Sequence, residues 1–125
     1  IILAIKTDMR EALGGGSDPI ISDAIAAGGI MAMNTVYYRF LHMIGKESYS
    51  VRPARLRMNR MNQPATTKAD FELMSLGCAA LAGCEMCLKS HESSLLQLNV
   101  SEDACHDAIR IAAVVNAATV GIVKG

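Results

Sequence analysis

Tryptophan is missing from this 125-residue chain, and aromatic residues of any kind make up only 4% of it. Net charge is missing too. Twelve Lys and Arg cancel twelve Asp and Glu, which removes the electrostatic footprint that sequence-independent nucleic-acid binding requires. No run of roughly 18 uncharged apolar residues is present, as a membrane helix would need. The most apolar tract, 111–123, is interrupted by Asn116 and Thr119, so no membrane span is expected. Period-two alternation is also lacking over any length that would make a strand. Cysteine is sparse, with four residues at 78, 84, 87 and 105. A chain of this size needs no disulfide staples, so these cysteines suit a reducing cytoplasm and a dedicated redox or metal pair better than a secreted scaffold.

What remains is a chain that is 51% apolar and 19% charged, too hydrophobic for disorder and of a length for one domain over residues 1–125. A core of this size leaves apolar surface over, so a homo-oligomer is expected. The chain opens on Ile1 rather than Met, and we expect the true N-terminus to lie upstream. Up to Asn62 there are eight basic and five acidic residues, and after it four and seven. The basic excess sits at Arg52, Arg55, Arg57 and Arg60, a group read as a solvated or ion-paired surface, with an anion or partner-docking patch as the alternative.

Ala, Leu, Met and Ile recur at three- and four-residue spacing throughout, which reads as an all-α fold. Five helices are expected. The first, over 1–13, stops at Gly14-Gly15-Gly16, read as a hinge. Asp18 and Pro19 then start a long helix to about residue 45, apolar at Ile21, Ile25, Met31, Tyr38 and Leu41. Gly28-Gly29 inside it marks a break or, as favoured here, a place where another backbone approaches closely. Residues 46–66 read as a connector, in which Pro53 and Pro64 bracket room for a short helix over 54–61. Thr67 to Asp70 has the shape of a capping box and launches a helix that Gly83 ends near 82. A further helix over 84–98 closes at Asn99, and Ser101 caps the last, whose apolar positions include Ile109, Ala112, Ala113 and Val120. Short loops between sequential elements make an antiparallel helical bundle the economical architecture.

The chemistry concentrates between Glu72 and His91. On a helix starting at Cys84, a rotation of about 100° per residue puts Cys87 and His91 on one stripe with it, roughly 60° wide. A straight helix would leave Glu72 about 18 Å from Cys84 along the axis, whereas a bend at Gly83 and an antiparallel return would bring it beside the thiols. First-turn N–H groups, the CxxC spacing and an imidazole one turn away all favour a thiolate. A thiolate can attack a peroxide O–O bond, and a second thiol within reach condenses the resulting sulfenic acid to a disulfide. Zinc is the rival reading, since Cys84, Cys87 and His91 supply three ligands, but no second knuckle provides the fourth. A haem-attachment motif would need His where Leu88 stands. Cys78 and Cys105 read as packing residues, His42 and His106 as surface residues, and the eight methionines as core filler.

Glutamate, eleven residues, Cys, two residues, Cys, three residues and His, met here as Glu72, Cys84, Cys87 and His91, resembles the active-site signature of the AhpD-like alkylhydroperoxidases of the carboxymuconolactone decarboxylase superfamily. Met-Ala-Met-Asn-Thr-Val-Tyr-Tyr-Arg at 31–39, Arg-Pro-Ala-Arg-Leu-Arg-Met-Asn at 52–59 and Lys-Ala-Asp-Phe-Glu-Leu-Met-Ser at 68–75 extend the likeness. The resemblance implies an all-helical fold, assembly as a trimer or a multiple of it, and thiol-dependent reduction of hydrogen peroxide and organic hydroperoxides in antioxidant defence. It implies Cys87 as peroxidatic thiol, Cys84 as resolving thiol, and His91 and Glu72 in a proton relay. The reading of the residues alone leaves the order of the two cysteines open. No bound cofactor is implied. The reductant would be an external dithiol, a lipoyl group or a thioredoxin-like protein. One departure is that Met86 stands where the family has a histidine before the second cysteine, and a thioether cannot relay a proton. The alternatives are a general disulfide oxidoreductase and a zinc-stabilised helical binding module without redox activity.

Overall fold

The computed structural model describes residues 18–124; the helix expected over 1–13 and the Gly14-Gly15-Gly16 hinge lie outside them. Among the described residues the chain is helix and connecting turn, with no strand. The elements are α1 (Asp18–Ile44), α2 (Glu47–Ser50), α3 (Asn59–Asn62), α4 (Lys68–Ala82), α5 (Glu85–Gln97) and α6 (Glu102–Lys124). The all-α expectation holds.

Punctuation in the sequence sets the boundaries. Thr67 caps α4 by accepting from the Asp70 N–H at 3.1 Å, and Ser101 caps α6 by accepting from Ala104 at 3.1 Å, each replacing a partner that the first helical turn lacks. At the other ends, Gly83 and Asn99 adopt φ of 69° and 62°. The N–H of Cys84 then reaches Ala79 O and that of Val100 reaches Leu95 O, which are Schellman closures that only a left-handed residue permits. The connector is less regular than a single short helix. The helix with room over 54–61 shrinks to the one turn of α3, and a second turn, α2, forms before it. Pro53 and the left-handed Arg55 (φ 53°) are incompatible with continuous helix between them.

α4 lies at the centre, packed by α1, α5 and α6. Phe71, Leu76 and Ala79 of α4 are buried, as are Ala27 and Met31 of α1 and Leu95 of α5. α1 runs through Gly28-Gly29 without a break, and among the described residues of this chain none lies within 4 Å of where a Cβ would stand at either. Two expectations are corrected. Ile25, expected on the buried stripe, is 53% exposed, because the face of α1 that meets α4 runs through Ile21, Ala27, Met31 and Asn34 instead. In α6, Ala112 packs on Gly77, but Ala113 and Val120 are exposed; Ala113, about 100° round the helix from Ala112, points off the packed face. By length and composition alone, α1 and the segment Glu102–Ile122 are each long and apolar enough to cross a membrane, although both carry charged residues. α1 carries the buried polar residues Asp23, Asn34 and Thr35 on its packed side.

A buried carboxylate fastens the connector. Asp23 is fully buried and accepts from the N–H groups of Ala65 and Thr66 at 2.9 and 2.8 Å, from the Thr66 hydroxyl at 2.6 Å and from Arg60 Nε at 3.1 Å. Burial pushes its carboxyl up, but the bonds from Thr66, Ala65 and Arg60 outweigh it and hold the group below its ordinary value. Arg60 is thus an ion-paired member of the basic group, while Arg52 packs over the Tyr49 ring at 5.8 Å.

Candidate active site

The turn between α4 and α5 builds the site. Gly83 reverses the chain, and Cys84 follows in extended conformation as the N-cap of α5, its sulfur accepting from the Cys87 N–H at 3.3 Å. Cap and third helical residue face each other in this geometry, which is why CxxC spacing at a helix start brings two sulfurs together. Cys84 and Cys87 form a disulfide, with Cα atoms 5.3 Å apart. Both are buried beside Ala79, with Tyr38 and Leu88 packed against them. Arg39 of α1 donates to Ala82 O at 3.0 Å and so ties the turn to the long helix.

One helical turn beyond Cys87, His91 is 6% exposed and Glu72 only 2%. The antiparallel return sets them together: His91 Nδ1 and Glu72 Oε2 are 2.6 Å apart. The other carboxylate oxygen of Glu72 meets Lys68 Nζ at 3.1 Å, and that ammonium also donates to Met61 O at 2.9 Å. Burial raises the Glu72 carboxyl, yet the hydrogen bonds and charges of His91 and Lys68 more than offset it, leaving the group below its ordinary value. Glu72 is therefore an anion at neutral pH. An anion accepts, so His91 donates its Nδ1–H and presents Nε2 as the basic nitrogen.

A cavity of about 400 Å³ opens on this group. Cys87 and His91 line it, together with Asn34, Tyr38, Met58, Met61, Met86 and Ser90. Cys84 does not line it. All four residues singled out from the sequence thus meet in one place, and the bend at Gly83 is what joins Glu72 to the rest. Cys78 and Cys105 stand apart as free thiols. Burial raises both, with Glu92 and Glu102 adding to the effect at Cys105, so neither is activated. The reading of the methionines as core filler holds for Met31 but not for Met58, Met61 and Met86, which face the cavity. His42 has a partner from a distant element, Glu85 at 3.1 Å, on the surface.

Sequence reasoning missed Asn34 and Lys68. Asn34 left a trace: it falls on the stripe of Ala27, Met31 and Tyr38, where an apolar residue would have been expected. For Lys68, four residues before Glu72, the signal was the ordinary i, i+4 pair.

The family model for the carboxymuconolactone decarboxylase family matches residues 52–120. Among curated proteins, alkyl hydroperoxide reductase AhpD of Anaeromyxobacter dehalogenans (strain 2CP-C) is 52% identical over 122 residues, 98% of this chain and 64% of the relative. AhpD of Rhodopseudomonas palustris (strain BisA53) is 46% identical over 125 residues, 100% of this chain and 67% of the relative. AhpD of Brucella canis (strain ATCC 23365 / NCTC 10854 / RM-666) is 42% identical over 117 residues, 94% of this chain and 67% of the relative. The chain thus spans just under two thirds of the length of the first of these.

Proposed function

The chain belongs to the carboxymuconolactone decarboxylase family, in its AhpD-like branch, and from that premise we propose that it is a thiol-dependent peroxidase of hydrogen peroxide and organic hydroperoxides. One observation carries the reading: a Cys84–Cys87 disulfide at the start of α5, one of whose sulfurs opens on a cavity shared with a histidine held by a buried carboxylate. Cys87 lines that cavity and Cys84 does not, which supports Cys87 as the attacking thiol and Cys84 as the resolving one.

In the reduced protein, His91 Nε2 takes the proton of Cys87, and Glu72 stabilises the imidazolium through Nδ1–H. The thiolate attacks the terminal oxygen of ROOH, the O–O bond breaks, and the leaving alkoxide takes the proton from His91 as ROH. Cys87 is now a sulfenic acid. Cys84 attacks its sulfur, water leaves, and the disulfide closes. Two electrons from an external dithiol restore the thiols. A lipoyl group or a thioredoxin-like protein is the proposed donor, the cytoplasm the proposed compartment, and a trimer or a multiple of it the proposed assembly. The exposed Val36, Met43, Ile111, Val114 and Ile122 support subunit contacts. A zinc module would need the two sulfurs as separate thiolates, whereas they are bonded to each other; this favours the redox reading.

The test is a thiol count on reduced protein before and after one equivalent of hydrogen peroxide, with mass mapping of any bridge. We expect rapid loss of two thiols and a Cys84–Cys87 bond. Unchanged thiols in a protein carrying zinc would overturn the reading. Cys84→Ser should react with peroxide once and stop at the sulfenic acid, while Cys87→Ser should not react at that site.

A further inference from the structure

Arg39 is a half-buried arginine of α1 whose guanidinium is directed at two main-chain carbonyls rather than at a carboxylate. Its Nε donates to Thr35 O at 3.2 Å within α1, and its Nη1 donates to Ala82 O at 3.0 Å, 43 residues away. Ala82 ends α4, and the carbonyls of a last helical turn have no partner inside the helix. The Schellman closure serves two of them, since the Gly83 N–H reaches Ala80 O and the Cys84 N–H reaches Ala79 O. Ala82 O is left over. The charged N–H of Arg39 takes it, at the end of a helix where a cation is favoured.

Only Gly83 and Cys84 separate α4 from α5. Tyr38, the neighbour of Arg39, packs against Ala79, Cys84 and Cys87, so α1 grips this turn twice, by a ring and by a charged hydrogen bond. The two cysteines depend on that grip unequally. Cys87 lies inside the first turn of α5, where the helix itself sets its backbone. Cys84 lies outside both helices, with a glycine before it, and its place follows from how the turn is held.

We propose that Arg39 is a positioning residue for the resolving step, holding Ala82 O so that the turn keeps the Cys84 thiol within reach of a Cys87 sulfenic acid. The proposal rests on the peroxidase reading and adds to it what governs the second step apart from the first. In the first step His91 and Glu72 act on Cys87, and their bond to each other does not involve the turn. In the second the Cys84 sulfur attacks the Cys87 sulfur, the S–S bond forms, the S–O bond breaks, and the departing hydroxide leaves as water with the Cys84 proton. The rate of such an intramolecular step follows how closely the two groups are held, and so does the equilibrium of the pair with an outside thiol couple.

The experiment uses Arg39→Met, which removes the donor and keeps an unbranched side chain. Attack is measured alone, as loss of the Cys87 thiol to hydrogen peroxide in a Cys84→Ser background. Closure is measured with Cys84 present, by quenched flow at a peroxide concentration that completes attack first, with mass analysis of sulfenic acid and disulfide. The Cys84–Cys87 pair is also equilibrated with reduced and oxidised glutathione in the absence of peroxide. Attack should stay within about twofold of the parent, closure should slow by about fivefold or more, and the glutathione equilibrium should move toward the dithiol by a similar factor. Arg39→Lys, which keeps a charged donor, should close faster than Arg39→Met.

Closure at the parental rate in Arg39→Met would overturn the proposal and leave the peroxidase reading intact. Equal slowing of attack and closure would overturn it too, because a displaced α1 disturbs the cavity along with the turn. Equal slowing of closure in Arg39→Lys and Arg39→Met would remove the role given to the Ala82 bond. If the parent pair equilibrates with glutathione but does not respond to peroxide, the peroxidase reading has failed and the resolving step fails with it.

Discussion

Two carboxylates in this molecule are buried to almost the same degree, Asp23 at 0% and Glu72 at 2% exposure, and both are held below their ordinary ionisation range. What surrounds them differs. Asp23 takes four hydrogen bonds from groups that keep their protons under all ordinary conditions: two backbone amides, a hydroxyl and a guanidinium. Glu72 has a lysine on one oxygen and a histidine on the other, and that histidine lines a cavity beside a sulfur. The first arrangement can only hold a connector against α1. The second can respond to a proton moving on the far side of the imidazole ring. Burial and ionisation are therefore poor guides to chemistry by themselves; the partner's ability to exchange a proton with a cavity separates a clasp from a relay.

Neutral isosteres should break the pair apart most sharply. Glu72→Gln keeps a hydrogen-bond acceptor at His91 but removes the charge that stabilises the imidazolium, and we expect the peroxide reaction to slow by about 100-fold, within the range that positioned acid–base groups contribute. Asp23→Asn should leave that rate within about threefold and instead lower stability by about 2 kcal/mol, because an amide cannot serve all four donors. Stopped-flow oxidation and urea unfolding of both variants check this. Matching losses in rate for the two would remove the distinction.

Acid should show the kinship of the two groups. A carboxyl whose folded value lies below its unfolded value contributes stability that is fully present above the unfolded value and is lost as pH falls through the folded one. With ordinary values of 4.5 for Glu72 and 3.8 for Asp23, stability should hold a plateau above about pH 4.5 and fall below it. Asp23→Asn should flatten the lower part of that fall and Glu72→Gln the upper part. Unfolding free energy measured from pH 6 to pH 3 tests the order, and a variant that falls as steeply as the parent would refute the assignment.

The same contrast marks what could be read from the chain before its structure. Glu72, Cys84, Cys87 and His91 were legible because local rules govern them: helix periodicity sets the stripe, and Gly83 sets the reversal that returns Glu72 to His91. Helix ends were legible at Thr67, Gly83, Asn99 and Ser101 for the same reason. Asp23 was not, since its partners stand 37 to 43 residues away in a connector with no periodic pattern, and a lone acidic residue near a helix start looks like a dipole partner. The exposed Ile25, Val120 and Ile122 show a second limit. Helices as apolar as α1 and α6 carry apolar residues on more than one face, so periodicity alone does not say which face meets α4.

Lys68 lies on the seam between the two regions, and its replacement should give the smallest effect. Its ammonium touches Glu72 Oε1 and Met61 O, so it joins the carboxylate that holds His91 to the connector that Asp23 fastens and whose Met58 and Met61 line the cavity. The side chain is 41% exposed, and water screens and partly replaces what it supplies. Lys68→Met should therefore slow the peroxide reaction by only about threefold. The direction of its side effects is informative. Losing a cation beside Glu72 raises that carboxyl toward its ordinary value, so the acid fall in stability, which still begins near the unfolded value, should be smaller and end at higher pH than in the parent. Losing the bond to Met61 frees the cavity wall, so selectivity between hydrogen peroxide and a bulkier organic hydroperoxide should narrow. A Lys68→Met protein that shifts the acid limb but keeps parental selectivity would place the lysine with Glu72 alone; one that changes selectivity and leaves the acid limb in place would assign it to the connector.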